Sequence, residues 1–233
     1  MSRTPTLIAL ALVGLTSAPA LAGGPVQTEA DPAAATTPAW DWSGYHLDLR
    51  LGSPLGKGYQ ELPFYLGGIV SEGEAWNGTV ATLSLGRDWQ RGTLVYGAAL
   101  SLTSGDIGAM GFYASWPNGS FQCMQCETTI DRQVALTGRI GLARGRTLYY
   151  ATAGLVRADV VATALSGTVP MAEATRTGHQ VGIGVEYRLR PGLSVLAEYT
   201  RTDLGRFLVM EDINALYATA EFETIQLGVS FRW

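Results

Sequence analysis

The chain has 233 residues, a formal net charge of −4, and 15% charged against 47% hydrophobic residues. No basic surface can be built from that balance to neutralise phosphate backbones, so nucleic acid is excluded as a partner. So little charge, with 29 glycines and Lys57 as the only lysine, also sets the chain apart from a soluble enzyme of this length. It suits strands that face lipid on one side and a tightly filled interior on the other.

In chain order, the first feature is an export signal over residues 1–22. Arg3 is the positive n-region, Leu7–Leu15 is a short apolar run, and Ala20-Leu21-Ala22 is a small-x-small cleavage site, so the mature chain is expected to start at Gly23. The apolar run is too short to span a bilayer as a helix, and no later stretch is long enough. Export puts Cys123 and Cys126 in an oxidising compartment. Residues 23–39 are rich in Pro, Ala and Thr, lack apolar periodicity and read as a flexible periplasmic lead. From Trp40 to the end, period-two alternation takes over, and residues 40–233 are expected to form one domain.

The first strand alternates Tyr45, Leu47, Leu49 and Leu51 with Gly44, His46, Asp48 and Arg50. Strands near 79–89, 147–158 and 193–203 alternate less cleanly. The third sets Leu94, Tyr96, Leu100 and Leu102 against Gly97, Ala99 and Ser101. The fourth sets Val134, Leu136, Ile140 and Leu142 against Thr137, Arg139 and Gly141. The sixth sets Val181, Ile183, Val185, Tyr187 and Leu189 against Gln180, Gly182, Gly184, Glu186 and Arg188. The eighth is the clearest, with Ile225, Leu227, Val229, Phe231 and Trp233 on one face and Thr224, Gln226, Gly228, Ser230 and Arg232 on the other. The polar faces carry Asp48, Arg50, Asp88, Arg139, Glu186, Arg188, Glu198 and Arg232. This near-balanced set can fill a narrow closed barrel while its members neutralise one another. Arg139 is expected to pair with Glu186 or Glu198.

Connection lengths alternate. Gln90-Arg91-Gly92, Arg144-Gly145-Arg146 and Arg190-Pro191-Gly192 are tight turns, whereas 53–76, 104–128, 159–177 and 204–218 read as long loops. Short turns at one end and long loops at the other are the pattern of outer-membrane barrels, with both termini periplasmic and four loops outside. Arginines gather at the short-turn end (Arg87, Arg91, Arg144, Arg146, Arg188, Arg190, Arg232). The long connections lean acidic (Glu61, Glu72, Glu74, Asp106, Glu127, Glu173, Glu211, Asp212). Trp42, Trp76, Trp89, Tyr149, Tyr150 and Trp233 are placed as interfacial girdles. The fold expected is an all-β, eight-stranded antiparallel transmembrane barrel with up-and-down connections.

Several segments resemble a known family. Trp42-Ser-Gly-Tyr-His-Leu-Asp-Leu-Arg-Leu-Gly52, the hairpin of Leu136–Leu142 and Leu148–Leu155, the pair Gly182–Tyr187 and Leu196–Tyr199 with Asp203-Leu-Gly205, and the end Gly228-Val-Ser-Phe-Arg-Trp233 are similar to small outer-membrane β-barrel proteins of the Omp25/31-like kind from alphaproteobacteria. The resemblance covers roughly 40–233 and implies an eight-stranded barrel related to the membrane domain of OmpA. The chain departs from the family pattern in its terminal Trp, where Phe is commoner, in a weak second strand, and in the loop carrying the two cysteines.

Cys123-Met-Gln-Cys126 lacks the further ligands a zinc site needs and the βαβ context of a thioredoxin-like motif, and reads as a disulfide pinning a loop tip. No cofactor and no metal are expected. A lipid-modifying enzyme would need Ser, His and a carboxylate near the outer rim. His179 is flanked at that spacing by Thr177 and Val181, and His46 shares the interior with Asp48 without a paired Ser. A general pore is disfavoured by the charged interior, and a soluble lipocalin-like binder by its polarity. The reading is a structural, surface-interaction protein of the outer membrane. Its expected partners are outer-membrane lipid and lipopolysaccharide, periplasmic chaperones and the barrel-assembly machinery reading Phe231 and Trp233, and an extracellular partner bound through the loops.

Overall fold

The computed structural model describes residues 40–62, 69–111, 126–164, 169–210 and 216–233. The segments expected as export signal and lead, Cys123 and the pair Glu211 and Asp212 lie outside the described residues. Ten strands form: β1 (Gly44–Leu55), β2 (Lys57–Leu62), β3 (Ile69–Ala75), β4 (Val80–Arg91), β5 (Leu94–Gly111), β6 (Cys126–Arg144), β7 (Thr147–Ala164), β8 (Val169–Arg190), β9 (Leu193–Met210) and β10 (Leu216–Arg232). Every pairing is antiparallel. The order runs from β1 to β4 and then consecutively to β10, which closes on β1 from His46↔Arg232 to Leu55↔Glu223.

β2 and β3 do not add staves to this barrel. β2 continues β1 along β10 in the same register, from Leu55↔Glu223 to Tyr59↔Thr219, and β3 runs back into β4. The interruptions fall at Gly56 (φ 98°) and Gly78 (φ 124°), backbone angles that residues with a Cβ avoid. The barrel therefore has eight staves, the first two of them broken, and closure leaves no exposed edge among them.

The register also fixes the tilt. Following paired residues round the ring from His46 through Gly86, Ala99, Thr137, Gly154, Gln180 and Thr202 leads to Phe222. Phe222 is one position beyond the Leu55↔Glu223 pair, so the path returns to the first stave ten residues from where it began. With a rise of about 3.3 Å per residue and strands about 4.8 Å apart, that stagger tilts the strands by roughly 40°.

The start of β1, the end of β10 and three two-residue turns, Gly92-Thr93, Gly145-Arg146 and Pro191-Gly192, share one end. At the other end the strands run much further than the sequence indicates. Of the four stretches expected as long loops, 53–76, 159–177 and 204–218 are largely strand and 104–128 is strand at both its ends, leaving 63–68, 112–125, 165–168 and 211–215 between the described residues. The physical reason is a reversal of polarity. Along β7, Tyr149, Ala151, Ala153 and Leu155 face out, but the next outward residues are Arg157 and Asp159; on the inner face Thr152 and Gly154 give way to Val156, Ala158 and Val160. β10 does the same, with Ile225 to Trp233 outward followed by Glu223 and Glu221, and Phe222 and Ala220 turned inward. β4 repeats it on the inner face, where Asp88, Ser84 and Thr82 lead to Val80. An apolar-out belt thus passes into an apolar-in extension, and a sequence rule tuned to the first reads the second as loop.

Candidate functional site

The interior is layered from the short-turn end. Trp42 lies across that mouth with no exposed surface and packs in a cluster with Val95, Ala143, Leu148 and Tyr150. The guanidiniums of Arg188 and Arg232 sit 4.3 Å and 5.5 Å from its ring centre. Arg188 donates to the Asp41 carbonyl at 2.8 Å, Arg232 to the Trp42 carbonyl, and the backbone N–H of Trp42 donates to Gln90 Oε1 at 2.7 Å. Residues 41–42 are thereby stitched across the opening. Trp42 is not the girdle residue expected of it, and Tyr150 also points inward.

Above this plug lies the ionic layer. Asp48, Arg50, Asp88, Arg139, Glu186, Arg188, Glu198 and Arg232, the charged set picked from the polar faces of the sequence, are all buried here, four acids against four arginines. Asp88 is the hub. It accepts hydrogen bonds from Arg139 and, at 2.9 Å, from Arg232, and its other oxygen lies 3.7 Å from His46 Nε2. Glu186 holds the same two arginines from the far side at 3.4 Å and 3.5 Å. His46 Nδ1 donates to Asp48 at 3.0 Å. Arg50 pairs with Glu198, which also accepts from the Tyr150 hydroxyl at 2.9 Å. Arg139 lies 4.8 Å from the centre of the Tyr150 ring and links the two groups. Of the two partners expected for Arg139, Glu186 is in contact, whereas Glu198 belongs to Arg50. Arg188 makes no ion pair with a described carboxylate and binds the plug. Glycine makes this density feasible: a Cβ on Gly86 would strike the His46 imidazole.

Hydroxyl and amide side chains follow. Thr82 contacts Thr103 at 2.8 Å, Gln226 donates to Thr82 at 2.8 Å, and Thr200 contacts Thr224 at 2.6 Å. Thr82, Thr103, Thr224 and Gln226 line a polar cavity of about 40 Å³, room for roughly three waters. The outer end is then sealed by an apolar cluster that includes Val80, Ile107, Ile130, Val160, Leu204 and Phe222. Trp76, also expected in a girdle, is 4% exposed within it. Its ring centre is 5.6 Å from that of Phe222, and its indole N–H donates to the Glu221 carbonyl at 2.9 Å. No sequence signal separated Trp42 and Trp76 from Trp89, since all three lie at strand ends.

The outer surface of the belt carries leucine, isoleucine and valine, with an aromatic rim at the short-turn end. Trp89 stacks on Tyr96 (5.9 Å) and Tyr45 on Trp233 (6.3 Å), while Arg87 covers both Tyr45 and Trp89 at about 5 Å. Phe231 and Trp233 face outward, and Trp233 exchanges backbone hydrogen bonds with Tyr45 at 2.9 Å and 3.0 Å. His179 sits on the outer face near the other end, 3.8 Å from Asp203. Of the cysteine pair, Cys126 opens β6 and Cys123 is outside the described residues, so the disulfide is not placed.

The family model described as "Outer membrane protein beta-barrel domain" matches residues 8–232. The 31 kDa outer-membrane immunogenic protein of Brucella melitensis biotype 1 is 25% identical over 219 residues, covering 87% of this chain and 88% of that protein, and its counterpart in Brucella suis biovar 1 matches equally. Among solved structures, Neisserial surface protein A aligns with a TM-score of 0.47 at 14% identity, covering 82% of this chain and 98% of its own. Ail of Yersinia pestis, crystallised with a heparin analogue, aligns at 0.41 and 12%, covering 82% and 99%. The similarity to Omp25/31-like proteins noted from short motifs thus extends over most of the chain. With that match, the lipid-facing belt and the closed ring have one explanation: the chain belongs to the outer membrane protein β-barrel domain family and resides in the outer membrane.

Proposed function

We propose that the chain is a non-conducting, non-catalytic anchor that holds a β-structured surface and four connections outside the cell for contact with a partner. The observation that carries this reading is the double closure of the interior, by Trp42 and the ionic layer at one end and by the Trp76 cluster at the other, with space for only a few waters between. Purified protein in planar bilayers should give no stable current; large, steady single-channel steps would refute it. The same packing supports the absence of catalysis. His46 is 2% exposed and held by Asp48 and Asp88, and Asp88, Glu186 and Glu198 are engaged by arginines. The acyl-chain number of lipid A, read by mass spectrometry, should be the same with and without the protein.

Acidic residues toward the outer end, Glu61 in β2 and Glu72 and Glu74 in β3, favour a basic partner. Cys123 and Cys126 are assigned as a disulfide that shapes the second outer connection, so exported protein should contain no free thiol. Phe231 and Trp233 are assigned as the signal read by the barrel-assembly machinery after periplasmic chaperones deliver the chain. Trp233→Ala should lower outer-membrane levels several-fold at native expression by quantitative blotting, and unchanged levels would remove that role.

A further inference from the structure

The polarity reversal gives the level at which the outer leaflet ends. The last apolar outward residues on β6 to β9 are Val134, Leu155, Val181 and Tyr199. The next outward residues on these four adjacent strands are Arg132, Arg157, His179 and Arg201. The ladder makes them one diagonal row. Arg157 pairs with Val134 and Thr177, two residues from Arg132 and His179 respectively, and Arg201 pairs with Val181, two residues from His179. Neighbours in such a row lie roughly 7–8 Å apart. Each step moves toward the short-turn end and so offsets the climb of the ladder toward the outer end from β6 to β9, which keeps the row close to the membrane plane and just above the belt. At this level on the other strands the outward residues are Ser53, Thr79, Ser104 and Glu223, so cationic character is confined to one side.

We propose that Arg132, Arg157, His179 and Arg201 form a binding face for the phosphate groups of outer-leaflet lipid. Three observations converge. The row sits where the hydrocarbon ends and headgroups begin. Arg132 and Arg157 are exposed and make no ion pair with a described residue, although Asp159 faces Arg132 across the ladder and accepts instead from Thr175 at 2.9 Å. Arg201 is held by Glu221 and His179 lies near Asp203, so the row's far end is fixed in place while its first two members are open to a ligand. Guanidinium forks match phosphate oxygens in a bidentate manner that neutral headgroups cannot exploit. The apolar residues directly below supply a surface for the acyl chains of the same lipid. This inference does not rest on the partner-binding reading of the outer connections.

The test uses the full mature chain in nanodiscs of phosphatidylcholine containing a minor fraction of bis-phosphorylated lipid A, with protein-bound lipid A counted by native mass spectrometry. Enrichment of lipid A on the protein is expected, with a loss of roughly tenfold in Arg132→Gln/Arg157→Gln. Arg132→Lys/Arg157→Lys should retain part of the enrichment, and Arg87→Gln, an outward cation at the opposite end, all of it. Dephosphorylated lipid A should not be enriched. Gel migration before and after boiling reports that each variant is folded. Equal enrichment in the double glutamine variant, equal enrichment of dephosphorylated lipid A, or displacement of bound lipid A by inorganic phosphate at matched concentration would each overturn the proposal.

Discussion

Asp88→Ala should lower the urea midpoint of the micelle-folded barrel more than loss of any other interior carboxylate. The Asp88 side chain has no exposed surface and accepts from both Arg139 and Arg232 while lying beside His46. Without it the one carboxylate left in ion-pair contact with these two buried guanidiniums is Glu186, at 3.4 Å and 3.5 Å. Removing one partner of a buried pair leaves an uncompensated charge, which costs about 3–5 kcal/mol, far more than the net contribution of the intact pair. Pairing Asp88→Ala with Arg139→Ala should therefore recover part of the loss, with a coupling of about 1–3 kcal/mol in the cycle. Glu198→Ala should cost less, because Arg50 keeps its contact with Ser84 and borders the cavity, where water can enter. A midpoint that does not move in Asp88→Ala would show that the ionic layer does not hold the lower barrel together.

Leu49→Arg and Ser53→Arg should differ sharply although they lie on the same face of β1. Leu49 is 50% exposed within the belt, and Ser53 is the first polar outward residue beyond it. A lipid-facing arginine near the bilayer midplane costs about 2–4 kcal/mol, against about 0–1 kcal/mol near an interface. Unfolding equilibria in phospholipid vesicles should reproduce that ordering. Similar costs at both sites would place the boundary elsewhere and remove the basis for locating the outer leaflet edge.

The parts of this architecture visible in the sequence are those where a single rule governs both faces of a strand. β8 and β10 alternate cleanly through the belt because every outward position meets lipid and every inward one meets the polar interior. The interior charges were legible for the same reason, since Arg139 or Glu186 has no stable place on a lipid face. The fifth strand of the sequence reading, near 147–158, looked irregular because the reversal occurs within it, between Leu155 and Arg157 outside and between Gly154 and Val156 inside. Trp42 and Trp76 were misplaced because an indole at a strand end reads alike whether it turns toward lipid or into the lumen. The decision is made by distant partners: Arg188 and Arg232 for one, Phe222 and Glu221 for the other. Pairing within the ionic layer was equally illegible, because it depends on the ten-residue stagger, which no single strand records.

The reversal also ties this protein to a particular membrane thickness. From Ile225 to Trp233 the lipid-facing part of β10 covers eight residue steps, which at a tilt of roughly 40° spans only roughly 20 Å along the membrane normal. A closed barrel with ionic cross-links cannot shorten or lean as a lone helix can, and sliding upward or downward would wet leucines or bring arginines into hydrocarbon. The lipid must therefore do the adjusting. Acyl chains around this barrel are expected to be compressed relative to a thicker unperturbed bilayer, and the protein to gather in the thinner regions of the outer membrane.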